Sequence, residues 1–175
     1  QAIADGGWDY VVLQEQSTAP AMPTGQVARE VYPAARTLDS LVHAASPDAR
    51  VIFYMTWGHD IDTYAEMQQR LAESYLEMTA QLNAWCAPVG IAWKRVRTEN
   101  PSITLYNNDH SHPSQQGSYL VANVFCSVFF QKPYTGTYYA ELPKEEALYL
   151  QRIAQETVFS NSSLWNIQPT MQPEE

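Results

Sequence analysis

Short apolar runs rich in β-branched and aromatic residues alternate along the chain with longer stretches whose apolar positions recur every three or four residues. The first run, residues 9–14 (Asp-Tyr-Val-Val-Leu-Gln), follows Gly6-Gly7 and predicts a buried strand. Residues 18–25, with Pro20 and Pro23, predict a loop. Over residues 26–45, Val27, Val31, Ala34, Ala35, Leu38, Leu41 and Val42 fall at helical spacing. Pro33 is expected to kink or split that helix near Tyr32. Residues 51–57 predict a second buried strand, closed by Gly58. Asp60 or Asp62 is expected to cap the next helix, residues 63–85, whose apolar face carries Tyr64, Met67, Leu71, Tyr75, Met78 and Leu82.

The pattern becomes shorter-ranged after that helix. Residues 88–93 predict a third strand, and residues 94–101 a polar connection with one helical turn. Residues 103–106 are apolar but brief, and residues 114–130 predict a strongly apolar helix. A loop is expected over 132–142, with Pro143 opening a last helix that runs to about Phe159. The expectation is a single domain, 1–160, with 161–175 as a surface tail. Short strands separated by amphipathic helices imply an α/β fold, a parallel sheet with helices on both faces. In such folds ligands collect at the carboxyl ends of the strands. The polar residues expected there are Gln14, Glu15, Gln16 and Ser17, then Gly58, His59 and Asp60.

Composition narrows the partners. With 45% apolar residues over 175 positions, the chain can bury a substantial core. Its net charge of −9 comes without a basic stripe, which argues against nucleic acid or an anionic membrane as partner. No apolar run approaches the roughly 18 residues that span a bilayer. Cys86 and Cys126 lack metal-ligand spacing and read as buried free thiols, with a disulfide as the alternative in an oxidising compartment.

The richest chemistry lies in Asn108-Asp109-His110-Ser111-His112-Pro113-Ser114. A carboxylate three residues before a histidine, in one polar turn, suits a base whose tautomer is fixed by an orienting acid. Each of these residue types is also ordinary in turns, and Asp109 could simply cap one. His110 competes with His112 for the role of base. His43 reads as a surface or boundary residue, and His59 is ambiguous. The rival chemistry is a metal site built from Asp109, His110, His112 and His59.

With those residues in hand, the chain resembles the SGNH (GDSL-type) hydrolase superfamily, and more narrowly its bacterial DUF4886-like branch. Residues 109–120 are similar to the family's last block, Asp-x-x-His-Pro followed by a Gly-containing helix start. Residues 8–17 resemble the strand and loop of its third block, and residues 51–58 the strand after it. The resemblance implies a three-layer α/β/α sandwich with a parallel sheet. It implies ester or acyl hydrolysis without a cofactor or metal, on an acetylated carbohydrate or another small ester. It makes His112 the general base and Asp109 its orienting acid. Gln16 falls where the family's oxyanion-binding Asn stands, and a loop-structuring role is the alternative for it. Gln14, Trp57 and Gly58 are the further candidates for oxyanion or substrate binding.

The family's nucleophilic serine and the glycine of its second block have no counterpart before Trp8. The resemblance therefore covers roughly the C-terminal two-thirds of a family domain. The first strand and the serine are expected upstream of Gln1, the alternative being a natural short form without a nucleophile. Ser17, Ser111 and Ser114 read as poor substitutes, and the chain alone is expected to be inactive. A catalytically inactive carbohydrate-binding or scaffold domain, with Trp8, Trp57 and Trp93 as stacking surfaces, is the second functional expectation. A periplasmic or secreted location is favoured over the cytoplasm, and no oligomeric state is read from the sequence.

Overall fold

A computed structural model describes residues 2–167. Three strands, β1 (Tyr10–Leu13), β2 (Arg50–Tyr54) and β3 (Trp85–Ala87), form a parallel sheet in the order β1-β2-β3. Leu13 pairs with Phe53 and Phe53 with Cys86, so these three side chains share one face. Helices fill the connections: α1 (Thr24–Glu30), α2 (Tyr32–Ala45), α3 (Tyr64–Leu82), α4 (Val89–Glu99), α5 (Gln115–Phe130) and α6 (Lys144–Phe159). Among the described residues, no helix is long and apolar enough to cross a membrane.

The two faces bury different helices. On the Leu13–Phe53 face, the sheet meets Val31 and Ala35 of the α1–α2 segment and Tyr75 and Met78 of α3. On the other face, Tyr54 packs edge-on against Phe125 of α5, and Tyr10 against Phe129. Behind α5 lies α6, whose Leu150, Ile153, Ala154 and Val158 are fully buried. Pro33 lies in the first turn of α2, where its missing N–H costs nothing, and the long predicted helix divides at Val31.

Three expectations are corrected. The third strand is Trp85–Ala87, not residues 88–93, and Val89–Glu99 is a helix. Val89, Ala92, Trp93 and Val96 follow helical spacing and are all fully buried, so what reads as a short apolar strand is one face of α4. Asn83, left-handed at φ 51°, closes α3 two residues before β3 begins. Asp60 and Asp62 do not cap α3, whose N-cap is Thr63 without a side-chain bond. The start of the tail is not superficial either. Trp165 and Ile167 are buried, the Trp165 carbonyl accepts from the Cys86 N–H, and the Trp165 indole donates to the Thr157 carbonyl. The rest of the expected tail, residues 168–175, lies outside the described residues. Cys86 and Cys126 are both free thiols.

β1 forms an edge of the sheet. None of its four residues is fully buried, and Tyr10 and Val12 remain 39% and 40% exposed. Among the described residues no strand pairs with its outer side. β1 is thus a partly exposed edge strand.

Candidate active site

The Asp109–His112 turn is a small hairpin held at its base and organised at its tip. Tyr106 and Pro113 form an antiparallel bridge, and the Asn107 N–H donates to the His112 carbonyl at 2.8 Å. The Ser114 N–H returns to the Leu105 carbonyl at 2.8 Å. Ser114 is also the N-cap of α5: its hydroxyl accepts from the Gly117 N–H and donates to the Thr104 carbonyl. Gly117 lets α5 start hard against Leu105 and Trp93, since a Cβ there would collide with the Leu105 carbonyl and the indole ring. The helix therefore anchors the turn.

At the tip, one carboxylate does two jobs. Asp109 Oδ1 accepts the main-chain N–H groups of Ser111 at 3.0 Å and His112 at 2.9 Å. Asp109 Oδ2 lies 2.7 Å from His112 Nδ1. The two N–H donors, and after them the imidazole, hold the Asp109 carboxyl down at about 2, so it is an anion at any ordinary pH. An anionic acceptor at Nδ1 favours the tautomer with its proton there, leaving the Nε2 lone pair as the basic site. The His112 side chain is 76% exposed. His110, between these residues, adopts φ +59°. The left-handed region costs a non-glycine residue about 1–2 kcal/mol, so neighbouring contacts must fix it.

Those contacts come from residues 57–60, just after β2. The Trp57 indole donates to the Ser111 carbonyl at 3.0 Å while its ring stacks on Trp93 at 4.1 Å. The Tyr106 hydroxyl donates to the Gly58 carbonyl at 2.6 Å, and the Gly58 N–H to Gln68 Oε1 at 2.9 Å. Both main-chain groups of Gly58 are thus engaged inside the fold. His59 Nε2 sits between two hydroxyls, Ser17 Oγ at 3.2 Å and Ser111 Oγ at 3.1 Å. The Asp60 N–H donates to the His110 carbonyl at 2.8 Å, and Asp60 Oδ2 faces His110 Nδ1 at 3.3 Å. Arg97 of α4 donates to Asp60 Oδ1 at 2.6 Å and lies 4.2 Å from the Tyr64 ring centroid and 5.2 Å from that of Tyr106. The Arg97 bond, with help from His110, draws the Asp60 carboxyl below its ordinary range.

Gln16 folds onto its own loop. Its Oε1 accepts from the Thr18 N–H, the Thr18 hydroxyl and the Ala19 N–H, and its amide nitrogen reaches only Ser17 Oγ, at 3.4 Å. The side chain remains exposed, as does that of Gln14. Of the three tryptophans considered as sugar platforms, Trp57 and Trp93 cover each other and Trp8 alone is more than a third exposed. The candidate metal ligands do not converge. His59 faces serines, His110 faces Asp60 and His112 faces Asp109, and no group of three His, Cys, Asp or Glu side chains among the described residues could hold an ion.

Asp60 was expected among the polar residues after the second strand, but its tie to His110 was not, and Arg97 and Tyr106 were not singled out by the sequence. Their partners lie tens of positions away, and no local pattern marks them. A stretch of Asn107, Asn108, His110, Asp60 and Arg97 also lines an open cleft of about 530 Å³ beside the turn.

No family model matches the sequence, and no curated protein matches it. Among solved structures, the chain is similar to a DUF4886 family protein from Bacteroides uniformis, with a TM-score of 0.71 and 15% identity over 91% of this chain and 66% of that one. It is also similar to a protein described as a candidate SGNH hydrolase from Slackia heliotrinireducens, with a TM-score of 0.60 and 29% identity over 72% of this chain and 68% of that one. The chain spans about two thirds of the length of either neighbour. With its three-stranded parallel sheet flanked by helices, the chain has an SGNH-like, DUF4886-related fold.

Proposed function

We propose that this chain carries the acid–base part of an SGNH-type serine esterase acting on an acetylated carbohydrate or another small ester. The observation behind this reading is the Asp109–His112 pair: an anionic carboxylate 2.7 Å from Nδ1, with the rest of a largely exposed imidazole turned to solvent. The likeness to a candidate hydrolase supports the reaction class.

In this mechanism a serine hydroxyl attacks the ester carbonyl carbon while His112 Nε2 takes its proton. The tetrahedral adduct collapses, and the departing alcohol receives that proton from Nε2. Water then attacks the acyl-serine, giving its proton to Nε2. The second adduct collapses, Nε2 returns its proton to the departing serine oxygen, and the carboxylic acid leaves. Asp109 stays ionised throughout, holding the tautomer and stabilising the imidazolium. Neutral imidazole is the working base.

The serine is assigned to a strand pairing with the open edge of β1. The half-exposed Tyr10 and Val12 favour this, because a further strand and its connection would cover them. The exposed Gln16 amide nitrogen is proposed to reach the developing oxyanion, with Gln14 beside it at the substrate entrance. Trp57 and Gly58 are proposed to support the base turn from beneath.

The test is turnover of a chromogenic acetyl ester by the protein expressed from its full gene, before and after treatment with a serine-directed fluorophosphonate. Turnover abolished by the reagent, with one serine labelled, is expected. Turnover indifferent to the reagent, or none on any acetyl ester, would contradict the proposal.

A further inference from the structure

The base turn is built around a residue in an unfavourable backbone conformation, and a second segment grips that residue at two points. His110 sits at φ +59° between Asp109 and Ser111. Its carbonyl accepts from the Asp60 N–H, and its ring lies against Asp60 Oδ2. Asp60 is itself held at its other oxygen by Arg97, whose guanidinium lies over the rings of Tyr64 and Tyr106. Tyr106 then closes the circle, since it pairs with Pro113 at the base of the same turn. The torsions of His110 set the direction in which the chain leaves Asp109 and therefore where the Ser111 and His112 N–H groups point.

We infer that Asp60, braced by Arg97, is a positioning residue that holds His110 in its left-handed conformation and thereby fixes the geometry in which Asp109 meets His112. The inference rests on reading those two residues as orienting acid and base. The ion pair is partly solvent-exposed, with side-chain exposures of 29% for Arg97 and 39% for Asp60. Pairs of that kind contribute little to global stability. Removing this one should loosen the turn while leaving the core intact.

The Asp109 carboxyl reports the geometry directly, because its titration near 2 depends first on the N–H groups of Ser111 and His112. Carbon-detected NMR of Asp60→Ala in the 175-residue chain provides the test. If Asp60 positions the turn, the Asp109 titration moves up by about one unit or more, toward the ordinary carboxylate value of about 3.9. The sign discriminates. Losing a nearby negative charge, with no change in geometry, could only lower the Asp109 titration. A titration unchanged or lowered in Asp60→Ala would overturn the inference. Should that variant fail to fold, Asp60→Asn removes the carboxylate that Arg97 and His110 engage with little loss of volume; it too removes a negative charge, so the same upward, or unchanged or lowered, titration decides. No ester turnover enters the measurement, so the clamp and the esterase reading can fail separately.

Discussion

His112 and Asp109 are joined twice: Nδ1 of the imidazole lies 2.7 Å from Oδ2 of the carboxylate, and the His112 main-chain N–H donates to Oδ1 at 2.9 Å. The carboxylate therefore orients the backbone that carries the imidazole as well as the ring. Asp109→Asn tests the ring contact, because an amide can present its N–H rather than an acceptor to Nδ1 and so stabilise the wrong tautomer. If the pair acts as proposed, a fall in kcat on the order of 10³–10⁴-fold is expected, the size such a change has in a serine protease triad. A drop below tenfold in steady-state ester hydrolysis would mean that Asp109 is only a turn residue.

The pH dependence of the turn has a definite sign. The Asp109 carboxyl is lowered from 3.8 to about 2 in the folded chain by the Ser111 and His112 N–H donors and then by the imidazole. A depressed acid contributes its order fully above its unfolded value and loses it as pH falls through the folded one. The side-chain carboxyl carbon of Asp109 should therefore show its carboxyl titration step only as pH approaches 2. Movement centred near pH 4 would show that the carboxylate is not held by those donors.

Gly117 is the point where α5 presses on the turn's support. A methyl group there meets the Leu105 carbonyl and the Trp93 ring, neither of which is a flexible side-chain end. Gly117→Ala should destabilise the fold by about 1–3 kcal/mol through overpacking. For a chain of this size that corresponds to a fall in Tm of roughly 2–12 °C, measurable by thermal denaturation. An unchanged Tm would place the two elements farther apart than described.

Much of this organisation was legible in the sequence because it is local. Strand-like runs and helical periodicities located β1, β2, α2, α3, α5 and α6, and the three-residue spacing of Asp109 and His112 pointed to one turn. The errors fell where context decides. Residues 88–93 taken alone are apolar enough for a strand, and the helical spacing of Val89, Ala92, Trp93 and Val96 emerges only when the window extends past Lys94. Trp165 and Ile167 follow polar residues and look peripheral, yet the Trp165 carbonyl meets the Cys86 N–H. The grip of Asp60 on His110 spans fifty positions and depends on how α4 and the loop after β2 meet. Asp60 next to a helix start reads as a cap, and nothing nearby signals its partners.

Cys86 offers a check on the sheet. It is completely buried in β3, and burial pushes its thiol up to about 12. Thiolate is the reactive form, so native protein should resist alkylation at Cys86 at pH 8 and be labelled there only after unfolding. Mass spectrometry of iodoacetamide-treated protein reads this directly. Rapid native labelling of Cys86 would contradict the packing of Trp85–Ala87 against its neighbours.

His112 is proposed as a general base for ester hydrolysis. The most direct test of that role compares acetyl-ester turnover by wild type and His112→Ala, both expressed from the full gene and matched for folding by circular dichroism. Turnover by wild type and a loss on the order of 10⁴-fold or more in the variant are expected. Equal rates for the two proteins would contradict that role.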